Sequence, residues 1–377
     1  MKNKVLITGG AGFIGSNLAL RLIDKGYEIT VLDNLSPQIH GEDQNSSLYN
    51  SIKDKVTFIQ GDVRNREDWE KALKGQHKVI HLAAETGTGQ SMYDVQKYID
   101  VNCNGTGIFL DLLVNTEHEI DKVVVASSRA IYGEGKYHCK EHGTVYPNER
   151  KDADMAQGEF EPKCPVCNKD LDLVPTTEDS KIHPSSVYGI TKQFQEQTVL
   201  NVCGSIGINS VALRYQNVYG PGQSLKNPYT GILSIFSTQI LNGNSINIFE
   251  DGKESRDFVF IDDVVNATIM AMESTSSANK SYNIGTGIGT NVLEVANALN
   301  DIYGAPVDIK VTGNYRLGDI RHNVASLDAA KNDFNFIPQV TFSEGVQKFG
   351  NWVKTQKVEE DNYQKSIEEM KAKGLYK

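Results

Sequence analysis

The sequence predicts an α/β fold in which a doubly wound parallel sheet carries a smaller domain after it. Three observations predict it. Short β-rich runs alternate with amphipathic stretches over the first two hundred residues, a glycine-rich turn follows the first run directly, and the alternation lapses after Arg214. Strands alternating with helices imply βαβ units, a parallel sheet and helices on both of its faces. Right-handed crossovers then gather the carboxyl ends of the strands, and with them any ligand, along one edge.

The strand-like runs are Val5–Thr8, Glu28–Leu32, Val56–Gln60, Lys78–Leu82, Lys122–Ala126 and Ser210–Arg214. The helical patterns between them are Ser16–Lys25, Arg66–Leu73, Tyr98–Leu113 and Ser186–Val202. From Gly133 to Glu178 the chain turns polar and proline-bearing, an insert long enough to be functional or to carry its own small fold. The expected organisation is a dinucleotide-binding domain over 1–213 with the insert at 133–178. A mainly substrate-binding domain follows over 214–356, with some segments returning to the first, and then a charged, solvated helical tail over 357–377.

Bulk properties narrow the function. Of 377 residues, 39% are hydrophobic and 23% charged, an ordinary globular balance. A formal net charge of -10 argues against nucleic acid or an anionic membrane as partner, since both select clustered cations. It leaves room for a phosphorylated small molecule. The opening MKNKVLITGG lacks the apolar run of a signal peptide, and no stretch approaches the ~20 apolar residues of a membrane span. A cytoplasmic location is expected. Five cysteines are too few for a disulfide scaffold. Cys103 and Cys203 are read as buried thiols.

Gly9-Gly10-Ala11-Gly12-Phe13-Ile14-Gly15 leaves the first strand and opens a helix. Glycine is needed there because the turn is tight and a pyrophosphate must approach the backbone, where the helix N-terminus offers free N–H groups. The second strand ends at Asp33, eighteen residues after Gly15, where a carboxylate can bind the adenosine ribose and repel a 2′-phosphate. This is a Rossmann-type site for NAD rather than NADP. Gly285-Thr-Gly287-Ile-Gly289 lacks that context and is read as a structural turn.

Tyr188 and Lys192 form Y-x-x-x-K on one helix face. Tyrosine is a poor base at neutral pH, and a lysine one turn away together with a positive nicotinamide would favour its phenolate. The run Lys122–Ala126 leads into Ser127-Ser128, placing a hydroxyl at the carboxyl end of a strand.

Thr8–Gly15, Asp33, Gly61-Asp62-Val63, His81–Ala84, Asn102, Ser127–Gly133 and Tyr188–Lys192 together resemble the extended short-chain dehydrogenase/reductase family. LRYQNVYGPG at Leu213–Gly222, RDFV at Arg256–Val259 and RLGDI at Arg316–Ile320 continue the likeness, which is nearest to nucleotide-sugar 4-epimerases. The resemblance implies roles. Gly9, Gly12, Phe13, Ile14, Gly15, Asp33, Asn34, Asp62, Val63, Leu82, Ala83, Ala84, Asn102, Tyr188 and Lys192 would hold NAD, with Asp62 and Val63 at the adenine. Ser128, Tyr188 and Lys192 would be catalytic, Ser128 hydrogen-bonding the sugar O4. Ser128, Arg129, Asn217, Arg256 and Arg316 would hold a nucleotide-diphosphate sugar, the last two arginines at its diphosphate. The family also implies a homodimer.

A 4-keto sugar is common to several reactions of the family. Arg129 and Ala130 stand where a 4,6-dehydratase carries acidic residues, so C4 epimerisation is the expected reaction. A UDP-glucuronate decarboxylase, a 4-ketoreductase or a non-catalytic dinucleotide sensor remain as alternatives. The insert, Gln90-Ser91-Met92 and Asn227–Gly231 resemble a dTDP-L-rhamnose 4-epimerase subgroup.

Within the insert, Cys139-Lys-Glu-His142 and Cys164-Pro-Val-Cys167 give two ligand pairs with two residues inside each. Two such knuckles suit one tetrahedral Zn²⁺ in a small ribbon. The set Cys139, His142, Cys164 and Cys167 would be closed and structural, with His138 as a substitute for His142.

Overall fold

The computed structural model describes residues 3–227, 229, 231–359, 361 and 363–376. Pro228 and Thr230 of the Asn227–Gly231 motif, and Glu360, Asn362 and Lys377 of the tail, lie outside the described residues, as do Met1 and Lys2.

The chain begins with β1 (Lys4–Thr8), α1 (Phe13–Asp24) and β2 (Glu28–Asp33), followed by β3 (Thr57–Gln60), β4 (Lys78–His81) and β5 (Lys122–Ser128). With Asn209–Tyr215 and Lys280–Ile284 these strands form one sheet, in the order β3-β2-β1-β4-β5 and then the last two. Every pairing in it is parallel. This is the doubly wound order, and the reversal beside β1 opens a crevice at the strands' carboxyl ends.

The sheet is covered on both faces, so its strands need no polar side. All seven residues of β5 are buried. Alternation sends Val5, Ile7, Val124 and Ala126 into one core with Leu18 and Leu22 of α1, and Leu6, Val123 and Val125 into another with Trp69, Phe109 and Val199. The second core is closed by helices Arg66–Leu73, Gly105–Asn115 and Val187–Ser205. The expected single helix over Tyr98–Leu113 is interrupted: Ile99–Asn104 is a π-turn between Val95–Tyr98 and Gly105–Asn115.

After Arg214 the chain is more regular than its sequence suggests. It contains helices Ile232–Leu241, Ile261–Glu273, Val292–Tyr303 and Phe342–Val353. Val292–Tyr303 opens on a capping box of Asn291 and Glu294 and stops at Gly304 (φ +65°); Thr341 and Glu344 cap Phe342–Val353 in the same way. Gly285–Gly289 is a turn held by Asp257, whose carboxylate accepts the N–H groups of Thr286 (2.7 Å) and Gly287 (2.9 Å). Among the described residues, no helix is long and apolar enough to cross a membrane.

The insert forms a three-stranded antiparallel sheet with Tyr137–Cys139 central between Gly143–Val145 and Asp172–Leu173. The core under this sheet is small, Tyr137, Cys139, Val145 and Cys164, while Met155 and Phe160 of the insert pack separately against Tyr315. The tail differs from expectation. Helix Tyr363–Ala372 is not simply solvated, since Ile367 and Met370 are buried. Cys203 is buried as expected, but Cys103 is only half-buried.

Candidate active site and cysteine knuckle

At the carboxyl ends of β1 and β2 the glycine turn is set by close approach. Gly9 has φ +67°, and a Cβ there would lie 2.9 Å from the Ala83 nitrogen. A Cβ on Gly15 would run into the Gly9 carbonyl oxygen, so the helix can begin this close to the sheet only with glycine. Asp33 closes the turn: its carboxylate accepts the N–H groups of Leu35 (2.9 Å) and Ala11 (3.0 Å), with His40 Nε2 at 3.8 Å. Burial raises the Asp33 pKa, opposed by the Leu35 N–H, the nearby His40 and the Ala11 N–H.

A cavity of about 510 Å³ runs from this turn along the strand ends. Gly9, Gly12, Phe13, Ile14, Gly15, Asp33, Asn34, Val63, Leu82, Ala83 and Ala84 line one part, and Ser128, Arg129, Tyr188, Lys192 and Asn217 another. The glycine-lined floor, the free N-terminus of α1 and the acid ending β2 fit a dinucleotide. Two expected cofactor residues, Asp62 and Asn102, are not among the lining residues. Asp62 is turned to Arg64 (2.8 Å) and receives Asn34 Nδ2 (3.1 Å). Asn102 ties Glu85 to Thr191 Oγ1 (2.9 Å), joining a wall loop to the helix of Tyr188. Gln216 and Tyr229, inside the Leu213–Gly222 and Asn227–Gly231 motifs, also line the cavity, as do Gln38, His40, Thr86 and Thr88, which no sequence motif marks. They sit in short turns and loops with no periodicity to expose them.

Helix Val187–Ser205 starts where Ser186 Oγ accepts the Gly189 N–H (3.1 Å). Gly189 lets it press on the turn after Ser128, because a Cβ would stand 2.6 Å from the Ala130 oxygen. The helix is anchored by a buried bidentate pair between Glu196 and Arg214 of the neighbouring strand, which Ser127 Oγ joins at 2.5 Å. Tyr188 is thereby delivered to Ser128. Burial raises the Tyr188 pKa; its hydrogen bond with Ser128 and the charge of Arg129 pull it back. The Lys192 ammonium is directed at Gln195 Oε1 (2.7 Å), and burial brings its pKa down to about 7, opposed by Glu196. Ser128 and Arg129 therefore oppose the rise at Tyr188 here, where the i, i+4 spacing had pointed to Lys192.

The substrate-side residues divide. Arg129 Nε donates to Asn217 Oδ1 (2.7 Å), and both line the cavity. Arg256 donates to the carbonyls of Ser255, Ile320 and Arg321, while Arg316 is paired with Asp319 (2.7 Å). Neither is among the cavity's lining residues, although Arg256 is close enough for its charge to lower the Arg129 pKa, after burial, to about 9.

The comparisons with known proteins span nearly the whole chain. The model of the NAD dependent epimerase/dehydratase family matches residues 5–152 and 165–285. The chain belongs to that family. It is 36% identical over 355 residues to a dTDP-L-rhamnose 4-epimerase of Burkholderia thailandensis, covering 93% of this chain and 94% of that one. A crystal structure of a Thermotoga maritima UDP-glucose 4-epimerase with UDP-glucose is 30% identical, with a TM-score of 0.75, over 93% of this chain and 98% of that one. A Thermus thermophilus UDP-glucose 4-epimerase complexed with NAD is 27% identical, with a TM-score of 0.73, over 94% and 100%. The resemblance to extended short-chain dehydrogenase/reductases of the epimerase type is thus borne out, and so is NAD as their shared cofactor.

The insert brings its four expected ligands together. The ligand atoms of Cys139, His142, Cys164 and Cys167 lie within 4.8 Å of one another, and His138 is not among them. Cys139 Sγ is 3.7 Å from Cys167 Sγ and 3.5 Å from His142 Nδ1, and Cys164 Sγ is 3.8 Å from that nitrogen. A metal–sulfur bond of about 2.3 Å gives a tetrahedron with edges of about 3.8 Å. The Glu141 N–H, the His142 side chain and the His142 N–H bring the Cys139 pKa down to about 6. At Cys167 the Lys169 N–H is outweighed by burial and the neighbouring Cys164 and Cys139, which push its pKa up to about 11. The cluster thus favours one thiolate, at Cys139.

Proposed function

We propose that the protein is an NAD-dependent nucleotide-sugar 4-epimerase that inverts C4 of an NDP-hexose through a transient 4-keto sugar. The observation that carries the reading is a single cavity lined by a dinucleotide cradle in one part and by Ser128, Tyr188 and Lys192 in another. Bound NAD⁺ supplies a hydride acceptor, and afterwards a donor, at C4. Tyr188 takes the proton of the 4-hydroxyl and later returns it, acting as general base and then general acid. Ser128 holds O4 and shares its hydrogen bond with Tyr188. Ser128 and Arg129 favour the phenolate against the burial that opposes it. Elimination would call for an acid beside the sugar, whereas position 129 carries a guanidinium held on Asn217.

The pair dTDP-L-rhamnose and dTDP-6-deoxy-L-talose is the substrate we assign, supported by the 36% identity to the Burkholderia enzyme over nearly the whole of both chains. Residues 214–356 supply most of the substrate side, with Arg256 and Arg316 released from their present partners to the diphosphate. The knuckle of Cys139, His142, Cys164 and Cys167 holds one structural Zn²⁺ with no open position for water. The chain works as a cytoplasmic homodimer. Val95, Ile99, Ile190 and Phe194 are exposed at 40%, 48%, 54% and 39% on neighbouring helices, which suits burial against a second copy.

The test is direct. Incubation with a panel of dTDP- and UDP-sugars yields a C4 epimer of one of them without added cofactor, and denaturing the protein releases NAD. Release of NADP, or net oxidation dependent on added cofactor, overturns the assignment in favour of a reductase.

A further inference from the structure

The C-terminal segment lies beyond the family match, which ends at residue 285, and its charge pattern reads as solvated. Yet it docks at three places. At its start, Asn242 Nδ2 donates to the Glu359 carbonyl and Asn244 Nδ2 to Asp361, each at 2.9 Å. In the middle, Ile367 and Met370 are 5% and 4% exposed, and Met370 Sδ sits over Gly89, 3.5 Å from where a Cβ would stand. Beside it Tyr93 donates to the Tyr229 hydroxyl (2.8 Å), which donates to Glu369 Oε2 (2.6 Å). At its end, the Leu317 N–H donates to the Leu375 carbonyl (3.2 Å) and Asn314 Nδ2 to the Tyr376 hydroxyl (2.9 Å). The Tyr376 ring meets Phe249 edge-on at 5.5 Å, and Arg316 lies over that Phe249 ring at 5.1 Å.

Of these three places, the middle one borders the cavity. Gly87, Thr88, Asn227, Tyr229 and Gly231 line it, so Glu369 and Met370 fasten together two wall loops that are about 140 residues apart in sequence, 93 and 229 being joined directly. The far end is fixed to the Arg316 turn, the assigned diphosphate contact. A segment held by two buried side chains and a handful of partly exposed hydrogen bonds can open locally while the core stays folded. Substrate-enclosing elements are drawn from such segments.

We propose that residues 363–376 are a strap across the nucleotide-sugar site, released for entry of the nucleotide sugar and docked to hold it. The strap is a binding element for the nucleoside diphosphate and its sugar, and Glu369 and Met370 are its positioning residues. This rests on the assignment of Arg316 to the diphosphate.

The test uses the full chain. Met370→Asp puts a charge in the apolar seat, and Glu369→Ala removes the latch while leaving the seat. Binding of dTDP and of UDP is measured by calorimetry, retained NAD is measured after denaturation, and tryptic cleavage after Lys371 and Lys373 is followed with and without each nucleotide. In the parent protein, the nucleotide that binds slows that cleavage severalfold. Met370→Asp weakens its binding about tenfold, Glu369→Ala weakens it less, and both variants keep their NAD and their melting temperature. Cleavage indifferent to nucleotide, or unchanged or tighter binding by Met370→Asp, overturns the strap. Should no sugar be epimerised while nucleotide binding still falls in Met370→Asp, the strap stands and the reaction assignment falls. Should epimerisation proceed with an unchanged KM in Met370→Asp, the strap falls alone. A parent protein that binds neither nucleotide overturns both.

Discussion

The cofactor cradle and the cysteine knuckle are both glycine-punctuated turns beside short strands, yet they are stabilised by different means. The cradle leaves β1 and β2, where Val5, Leu6, Ile7, Val31 and Leu32 are fully buried, and its shape follows from packing that the whole sheet enforces. The knuckle joins strands of two or three residues over a core of four side chains. So small a core cannot offset the entropy of ordering its loops, and metal binding can supply the difference. A ligand site built on the main core exists before its ligand arrives; one built on an insert depends on its ligand for its shape.

The largest effect should come from the preformed side. Tyr188→Phe removes the proton acceptor and keeps the ring that packs edge-on against Tyr98 at 6.5 Å. Turnover should fall by at least ~10²-fold, as for a lost general base, while NAD retention and melting temperature hardly change. A variant that keeps near-normal turnover would show that the hydroxyl beside Ser128 is not the base.

Next is the dependent side. Protein purified without added metal should carry about one zinc per chain, and Cys164→Ser should carry none. The main melting transition should move little, whereas protease access should appear between Tyr137 and Leu173. Loss of zinc with no change in the insert's protease resistance would mean that its three strands hold themselves, and the contrast with the cradle would collapse.

The same contrast explains what could be read in the sequence. Gly9–Gly15 and Asp33 are legible because every member serves one local turn, and Cys139-x-x-His142 with Cys164-x-x-Cys167 is legible because ligand spacing is local too. Tyr188 in Y-x-x-x-K and Ser128 at a strand's end are each marked locally, but their joining into one site is legible only by family resemblance, since 60 residues separate them. The helices after Arg214 were passed over although Asn291 with Glu294, and Thr341 with Glu344, mark two of them; proline and glycine turns between them masked the period. Docking of the tail could not be read, because Ile367 and Met370 are only two apolar side chains on a charged helix. Least legible is the joint between the insert and the C-terminal half. There Arg150 meets Glu250, and Arg321 meets Glu161, Glu250 and Asp251, all by pairing across distant segments.

That joint supplies the smallest predicted effect, and the one that measures how firmly the insert is held apart from its metal. Glu161 accepts from Arg321 Nε (2.8 Å) and lies 3.2 Å from His322 Nε2. Burial alone would raise its pKa, but the hydrogen bonds from His322 and Arg321 prevail and hold it at about 2. A carboxylate with a depressed folded pKa contributes stability that is complete above the unfolded value of about 4.3 and is lost as pH falls through the folded one. The Glu161 side chain is 53% exposed, and Arg321 keeps Glu250 and Asp251 as partners when it is gone. The contribution is therefore about 0.5–1 kcal/mol, the scale of a solvent-screened pair. Glu161→Gln should lower the hydrogen-exchange protection of the insert by that amount at pH 7. The gap to the parent protein should narrow below about pH 4.5 and be roughly halved near pH 3, because the parent is then losing the charge that the variant never had. A gap that stays constant from pH 7 to pH 3 would show that Glu161 acts through packing rather than charge, leaving the metal and the buried Arg150 contacts to anchor the insert.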